Sequence, residues 1–370
     1  MPRRAHKKSR NGCLECKRRH VKCDEKRPVC SNCAVAERDC EYGTRLPSAN
    51  ARPPLPASAS PVQSQSPAAG GFDDQPVNML HVELFQNLYT KTQATFDPTR
   101  STPWLSATVS QSITIPYLVN ELLAFSALHL STLRPTQRDF YHYHAAQLQT
   151  HALACFNETN PSVTHETCVP MFLFSSFLGI HMLCDTLIYR ENDFGPFLAR
   201  FVHYLRLHHG VRTIVGQAWF MLQDSALKPA FEVGKALYKF DGRLGPSCTK
   251  LLDLIVAARL GTELTDVYRQ AIESLQACAN VTETADERHA EINGVIAWPI
   301  LIRLEFSDLL QQRRPEALVV LAHYAVLLHR YRDSWLFADS GRFVIEEAKR
   351  YLGEEWEEWL RWPNEVLQSY

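Results

Sequence analysis

Six of the eleven cysteines in this chain fall within one short stretch, spaced Cys13-x2-Cys16-x6-Cys23-x6-Cys30-x2-Cys33-x6-Cys40. Each C-x2-C pair is followed six residues later by a third cysteine, so the stretch is two copies of one half-site. A zinc ion takes four soft ligands in a tetrahedron, and thiolates satisfy it. Six thiolates serve two Zn2+ fully when two of them bridge both metals. By the symmetry of the halves the bridges are expected at Cys13 and Cys30. A plain one-zinc ribbon on Cys13, Cys16, Cys30 and Cys33 is the alternative, and it leaves Cys23 and Cys40 spare. A disulfide framework is a third reading. The N-terminus, MPRRAHKKSR, carries no apolar signal segment, which favours a reducing compartment over secretion.

The segment between Cys16 and Cys23 reads Lys17-Arg18-Arg19-His20-Val21-Lys22, five of its six residues basic or able to become so. It is expected to lie on a short helix whose end is tied to metal. Upstream, Lys7, Lys8 and Arg10 extend the same basic patch. Residues 1–45 hold 13 Lys/Arg against 6 Asp/Glu, while the remainder holds 26 against 34. The formal net charge of -1 hides this basic head on an acidic body. Two Zn2+ and six thiolates would remove two positive charges, and the head would still seek phosphates. Arginine and lysine reach guanine O6/N7 or phosphate oxygens, and a rigid helix fixes which edge each one meets. The expected partner is double-stranded DNA.

Behind the head, residues 46–77 contain seven prolines among Ala, Ser and Gln and read as a disordered linker without heptads. From 78 to 370 the pattern is helical, and ten to twelve helices are expected in one all-α domain. Tyr141, Ala145, Leu148, Ala152 and Cys155 share a helix face, as do Val267, Ala271, Leu275 and Cys278. Thr136 and Asp139, after Pro135, are expected to cap the first of these helices. Leu318–Tyr331 is apolar nearly all round, as a buried helix would be. The uncharged stretch Thr167–Cys184 is read as a buried core helix and not as a membrane span. Glu354–Pro363 is expected to form an amphipathic terminal helix burying Trp356, Trp359 and Leu360. No P-loop, G-x-S-x-G or G-x-G-x-x-G is present, so an enzyme is not expected.

Residues 13–40 resemble the Zn2Cys6 binuclear cluster of fungal transcription regulators. The resemblance implies a helix after the second cysteine that enters the major groove and reads a CGG-like triplet. Arg19 and His20 match the base-reading pair by position, while Lys17, Arg18 and Lys22 fall on the same helix segment, Lys17 and Lys22 better placed for phosphates. Many members carry Lys where this chain has His20, a shorter side chain that is mostly neutral at pH 7. The chain also resembles the sterol uptake control subgroup through segments such as Phe172–Ile180, His208–Trp219, Trp298–Phe306 and Arg313–Trp335. That likeness implies a TCG-containing element and an all-α regulatory domain with an apolar sterol site. Phe172, Phe174, Phe177, Met182, Trp298 and Trp335 are the candidate lining residues. It further implies a nuclear RNA polymerase II regulator, ligand-dependent cytoplasmic retention and coregulators as partners. Without heptads in the linker, a homodimer is expected to form through the C-terminal domain or not at all, and a monomer would read a single half-site. The alternative is a pathway-specific, secondary-metabolite regulator whose helical body binds no small ligand and serves dimerisation or coregulator recruitment.

Overall fold

The computed structural model describes residues 12–19, 21–36, 38–42, 77–96, 110, 113–225, 227, 240–284 and 288–369. The chain divides into two compact units, Met1–Asp74 and Gln75–Tyr370. The expected linker, apart from Val77, lies outside the described residues, as do Lys7, Lys8, Arg10 and His20.

The first unit contains two five-residue helices, α1 (Leu14–Arg18) and α2 (Ser31–Val35), one in each cysteine repeat. A helix this short is unstable alone, because its nucleus costs more than so few hydrogen bonds return. Here each helix opens on a cysteine N-cap, Cys13 or Cys30, and carries a second cysteine in its first turn, so the cluster holds it. Buried Cys13, Cys16, Cys23, Cys30 and Cys33, with Cys40 and Tyr42 packed beside them, are the only core of this unit among the described residues.

Among its described residues the second unit consists of helices joined by turns and irregular segments, with no strand. Its α-helices are α3 (Met79–Asn87), α4 (Pro116–Leu133), α5 (Arg138–Thr159), α6 (Cys168–Ile188), α7 (Phe194–Gln223), α8 (Pro246–Ala257) and α9 (Thr262–Thr284). They are followed by α10 (Arg288–Leu301), α11 (Leu304–Gln311), α12 (Pro315–Arg330), α13 (Ser340–Leu352) and α14 (Arg361–Ser369). Neighbours in sequence pack as helical hairpins: α4 on α5, α6 on α7, α9 on α10, and α12 on α13. Longer-range packing of α4 on α6 and of α7 on α11 joins these hairpins into one core.

The helical periodicity in the sequence maps onto that core. Tyr141, Ala145, Leu148 and Ala152 are buried on α5, and Val267, Ala271, Leu275 and Cys278 on α9. Every residue of α12 from Glu316 to His329 is buried, which explains its lack of a polar face. Helix α6 is long and apolar enough to cross a membrane by length and composition, and most of it is buried inside this unit. Asn160 ends α5 in the left-handed conformation, a conformation a short polar side chain tolerates.

Three local expectations are corrected. The segment Lys17–Lys22 does not lie wholly on a helix, because α1 ends at Arg18 and Val21 and Lys22 lie beyond it. Thr136 does not cap α5. Pro135–Gln137 form a 3-10 turn instead, and Gln137 takes the cap position without a side-chain hydrogen bond. The fixed φ of Pro135 suits that tight turn. At the other end no single helix spans Glu354–Pro363. Glu354–Trp356 is a 3-10 turn and α14 starts only at Arg361, leaving Leu360 buried and Trp356 and Trp359 half-buried. Gly353, at φ +79, reverses the chain after α13 and breaks the helical run there.

Candidate metal centre and nucleic-acid interface

The sulfurs of the head gather into two four-membered sets. Cys13, Cys16, Cys23 and Cys30 form one, and Cys13, Cys30, Cys33 and Cys40 the other, all ligand atoms lying within 4.8 Å of one another in each. The shared members are Cys13 and Cys30. A zinc–thiolate tetrahedron with bonds of about 2.3 Å has sulfur–sulfur edges of about 3.8 Å. The observed edges are 3.7 Å for Cys13–Cys30, 3.7 Å for Cys13–Cys33 and 3.6 Å for Cys16–Cys30. These separations are far beyond a disulfide bond, and all eleven cysteines are free, which removes the disulfide framework. The one-zinc ribbon also falls, since Cys23 and Cys40 each complete a set.

Backbone amides reinforce the sulfurs with the same repeat symmetry. The N–H of Cys13 donates to Cys23 Sγ at 3.4 Å, and that of Cys30 to Cys40 Sγ at 3.3 Å. Cys16 N–H donates to Cys13 Sγ and Glu25 N–H to Cys23 Sγ, each at 3.4 Å. Such donors favour the thiolate, the form that binds metal. Burial pushes the Cys30 thiol up, but the Cys33 N–H and the neighbouring thiols outweigh it and bring it down to about 6. Burial likewise raises the Cys13 thiol, but hydrogen bonds from Cys16 outweigh it and bring the thiol below its usual value. Cys16 is pushed up to about 12 by burial and by its place beside Cys13 and Cys30. Cys13 and Cys30, the two shared sulfurs, are thus both shifted toward the thiolate.

Ties between the repeats fix the orientation of α1. Asp24 accepts hydrogen bonds from Ser31 N–H at 3.1 Å and Ser31 Oγ at 2.6 Å, fastening the end of the first repeat to the start of α2. The Ser31 hydroxyl holds the Asp24 carboxyl below the usual carboxylate range. Asn32 Nδ2 donates to the Lys22 carbonyl at 2.7 Å. In the other direction, Glu15 on α1 pairs with Arg18 at 2.7 Å and with Arg38 of the second repeat at 3.2 Å. Lys17, Arg18, Arg19 and Lys22 are exposed, while Cys16 on α1 is buried. The spacing of the cysteines made the cluster readable. Glu15, Asp24, Asn32 and Arg38 were missed, although Arg38 was visible as the sole basic residue of the second repeat.

Residues 11–48 match the family described as the fungal Zn(2)-Cys(6) binuclear cluster domain. The head is a binuclear zinc cluster domain. Its donor set is all thiolate, two sulfurs are shared, and the cofactor is a pair of Zn2+ ions. The zinc supplies rigidity: it locks two helices too short to stand alone. Beyond the head, the chain is similar along nearly its whole length to a Zn(2)-C6 fungal-type transcription factor of Gibberella zeae, 24% identical over 99% of this chain and 87% of that protein. It is 25% identical to the Zn(2)-C6 fungal-type transcription factor afumD of Aspergillus fumigatus, over 88% of this chain and 86% of the relative. Sterol uptake control protein 2 of Candida albicans is 35% identical over 32% of this chain and 19% of its own length.

The six aromatic and Met positions of the body do not form one group. Phe177 and Trp335 both flank Phe125, at ring separations of 5.7 and 5.3 Å. Phe174 packs instead with Tyr117 at 5.2 Å and Phe156 at 4.7 Å. Phe172 and Met182 are half-buried on α6. Trp298 lies apart, fully buried, stacked on Tyr324 at 4.3 Å and donating from Nε1 to the Ala271 carbonyl at 3.0 Å. Around Trp335 a polar cluster is buried: His129 stacks on the indole at 4.2 Å and bonds Thr92 Oγ1 at 3.0 Å, and Trp335 Nε1 donates to Thr95.

Proposed function

We propose that this chain is a sequence-specific DNA-binding transcription regulator. Residues 1–45 act as the DNA-binding head, 46–77 as a flexible linker, and 78–370 as an all-α regulatory domain. The single observation that carries the reading is the shared-thiolate cluster with exposed Lys17 and Arg18 on the helix it locks and exposed Arg19 and Lys22 just beyond that helix. The relatives, named as transcription factors over nearly the whole chain, support it. The six cysteines hold the two zinc ions. Arg19 and His20 read base edges in the major groove, and Lys17, Lys22 and the arm residues Lys7, Lys8 and Arg10 meet phosphates. The protein works in the nucleus on RNA polymerase II promoters with coregulators, and not as an enzyme.

The test is binding of the full chain to duplexes carrying a CGG or TCG element against scrambled ones. The reading expects discrimination that falls by about 1–3 kcal/mol when Arg19 is replaced by Ala. Binding that ignores sequence, with the zinc cluster intact, would refute it.

The regulatory domain is proposed to bind a sterol or other lipid, a reading supported by the partial likeness to a sterol uptake control protein. The ring cluster of Phe177 and Trp335 about Phe125, with the half-buried Phe172 and Met182 on α6, is the proposed contact region. Native mass spectrometry of the full chain from a sterol-containing host tests it. A retained mass of sterol size, lost on Phe177→Ala, would support it; a chain that carries none and is not stabilised by added ergosterol would overturn it.

A further inference from the structure

Glu15 is an acid in the middle of a basic helix. A carboxylate on a surface that meets phosphates repels them, so its presence in α1 needs a physical reason. Its side chain is only 11% exposed, and each oxygen has its own guanidinium: Oε2 takes Arg18 at 2.7 Å and Oε1 takes Arg38 at 3.2 Å. Arg18 is its neighbour one turn along α1, the ordinary i, i+3 pair. Arg38 is not local. It stands 23 residues away, in the other repeat, two positions before Cys40.

Comparison of the two repeats shows what this arrangement adds. The residues matching Lys17, Arg18 and Arg19 in the second repeat are Ala34, Val35 and Ala36, so α2 offers no cation to DNA. Arg38 is the only Lys or Arg between Cys30 and Cys40, flanked by Glu37 and Asp39. The residue matching Glu15 is Asn32, which also reaches across to the opposite repeat, but to the Lys22 carbonyl. Both repeats therefore use this position as a cross-brace, and only the brace from α1 is ionic. Its effect is to draw the second repeat's one cation next to α1. Two guanidinium groups around one carboxylate leave a net positive charge. Each retains N–H donors beyond the one it gives to Glu15, and the Arg18 and Arg38 side chains are 74% and 53% exposed.

We propose that Arg38 is a DNA-backbone contact supplied by the second repeat, and that Glu15 is a positioning residue that holds Arg38 and Arg18 beside α1. This rests on the DNA-binding reading above. Arg38 meets a phosphate next to the groove that α1 enters, and Glu15 orders the two arginines so that the helix seats in one register. Phosphate contacts of this kind position a protein without reading sequence, whereas loosening the register costs discrimination. The two residues therefore have different signatures.

The experiment measures dissociation constants of the full chain for an element-containing duplex and a scrambled duplex across a salt series, with zinc content checked in each variant. Arg38→Ala is expected to weaken both duplexes by a similar factor, on the order of tenfold at low salt, and to make the logarithmic salt slope shallower by about one. Arg38→Lys should keep the slope. Glu15→Gln, which removes a negative charge with little change of shape, is expected to hold or raise affinity for the scrambled duplex while discrimination falls several-fold. An unchanged slope for Arg38→Ala, or equal losses on both duplexes for Glu15→Gln with two zinc ions retained, would overturn the proposal. Should Glu15→Gln lose zinc, the Arg38 slopes still decide it. Failure of the wild-type chain to discriminate at all would instead refute the DNA-binding reading.

Discussion

Cys13 and Cys30 place their sulfurs 3.7 Å apart, and each belongs to both four-sulfur sets of the head. The remaining four cysteines each belong to one. A shared ligand and an unshared one should therefore differ in what their loss removes. Cys13→Ser or Cys30→Ser is expected to take the zinc content of the chain from two to none, because each ion loses a ligand. Cys23→Ser or Cys40→Ser removes a ligand from one set and is expected to leave one ion bound. Native mass spectrometry at neutral pH reads the count directly. Loss of one ion alone from Cys13→Ser would show that the bridge lies elsewhere.

Two glycines mark where helices of the body approach most closely, and they should respond differently to the same substitution. A Cβ at Gly179 on α6 would lie 2.1 Å from His208 Cε1 on α7. The obstacle is a side chain, so Gly179→Ala should destabilise by about 1–3 kcal/mol or more, and His208→Ala should relieve much of that clash. A Cβ at Gly341 on α13 would lie 2.3 Å from the His329 backbone nitrogen and 2.6 Å from the Ala325 carbonyl oxygen. Backbone cannot be trimmed away. Gly341→Ala should therefore be the more damaging of the two, with no rescue from His329→Ala. Urea titration of the four variants separates the cases.

The cysteine cluster was legible in the sequence because its geometry is local: C-x2-C closes within one helical turn, and the third cysteine follows in each repeat. Periodicity likewise located α5 and α9, since burial of one helix face leaves a repeat of three and four residues, and an unbroken apolar run located the fully buried α12. Partner choice across the fold left no such trace. Phe177 and Trp298 are the same kind of residue to a sequence reader, yet one borders Phe125 and the other is stacked on Tyr324 in a different part of the core. The pairing of Glu15 with Arg38 joins residues of opposite charge 23 positions apart, and many such pairs could be drawn on paper. The caps failed for a similar reason. Thr136 had a suitable side chain, but Pro135 opened a 3-10 turn and moved the helix start to Arg138.

Trp298 and Trp335 offer a contrast between a core and a partly open indole. Trp298 is fully buried, stacks on Tyr324 and donates to the Ala271 carbonyl, so Trp298→Ala should cost about 3–5 kcal/mol. Trp335 is half-buried, stacks on His129 and donates to Thr95 Oγ1 at 2.8 Å. Trp335→Phe keeps a ring and loses the hydrogen bond, for an expected cost of about 1 kcal/mol. If the ligand reading holds, Trp335→Phe should lower lipid retention more than it lowers stability. Comparing denaturation midpoints with retained lipid mass in the same preparations checks both.

Four buried histidines, His129, His208, His323 and His329, are held below their ordinary value by burial. Burial holds His129, His208 and His323 down to about 4, with Lys91 adding its charge against His129. In the unfolded chain each takes up a proton near pH 6.5, while in the folded one it stays neutral until about pH 4. The stability tied to these groups is complete above pH 6.5 and is lost as the pH falls toward 4. Each contributes a loss of up to about 1.4 kcal/mol per pH unit inside that window. Asp185, whose carboxyl is raised by burial but lowered further by His142 and Arg200, adds its loss below the normal aspartate range. Glu121 works in the other direction, because burial outweighs its His181 partner and lets the folded chain keep that proton at a higher pH than the unfolded one. One carboxyl gaining cannot offset four histidines losing. All seven tryptophans lie in the second unit, so indole fluorescence follows its unfolding alone. The urea midpoint is expected to hold between pH 8 and 7 and to fall steeply from pH 6 to 4.5, with His323→Gln flattening the fall by about one proton. A midpoint that stays level to pH 5 would mean that these histidines gain protons as readily in the folded chain as in the unfolded one.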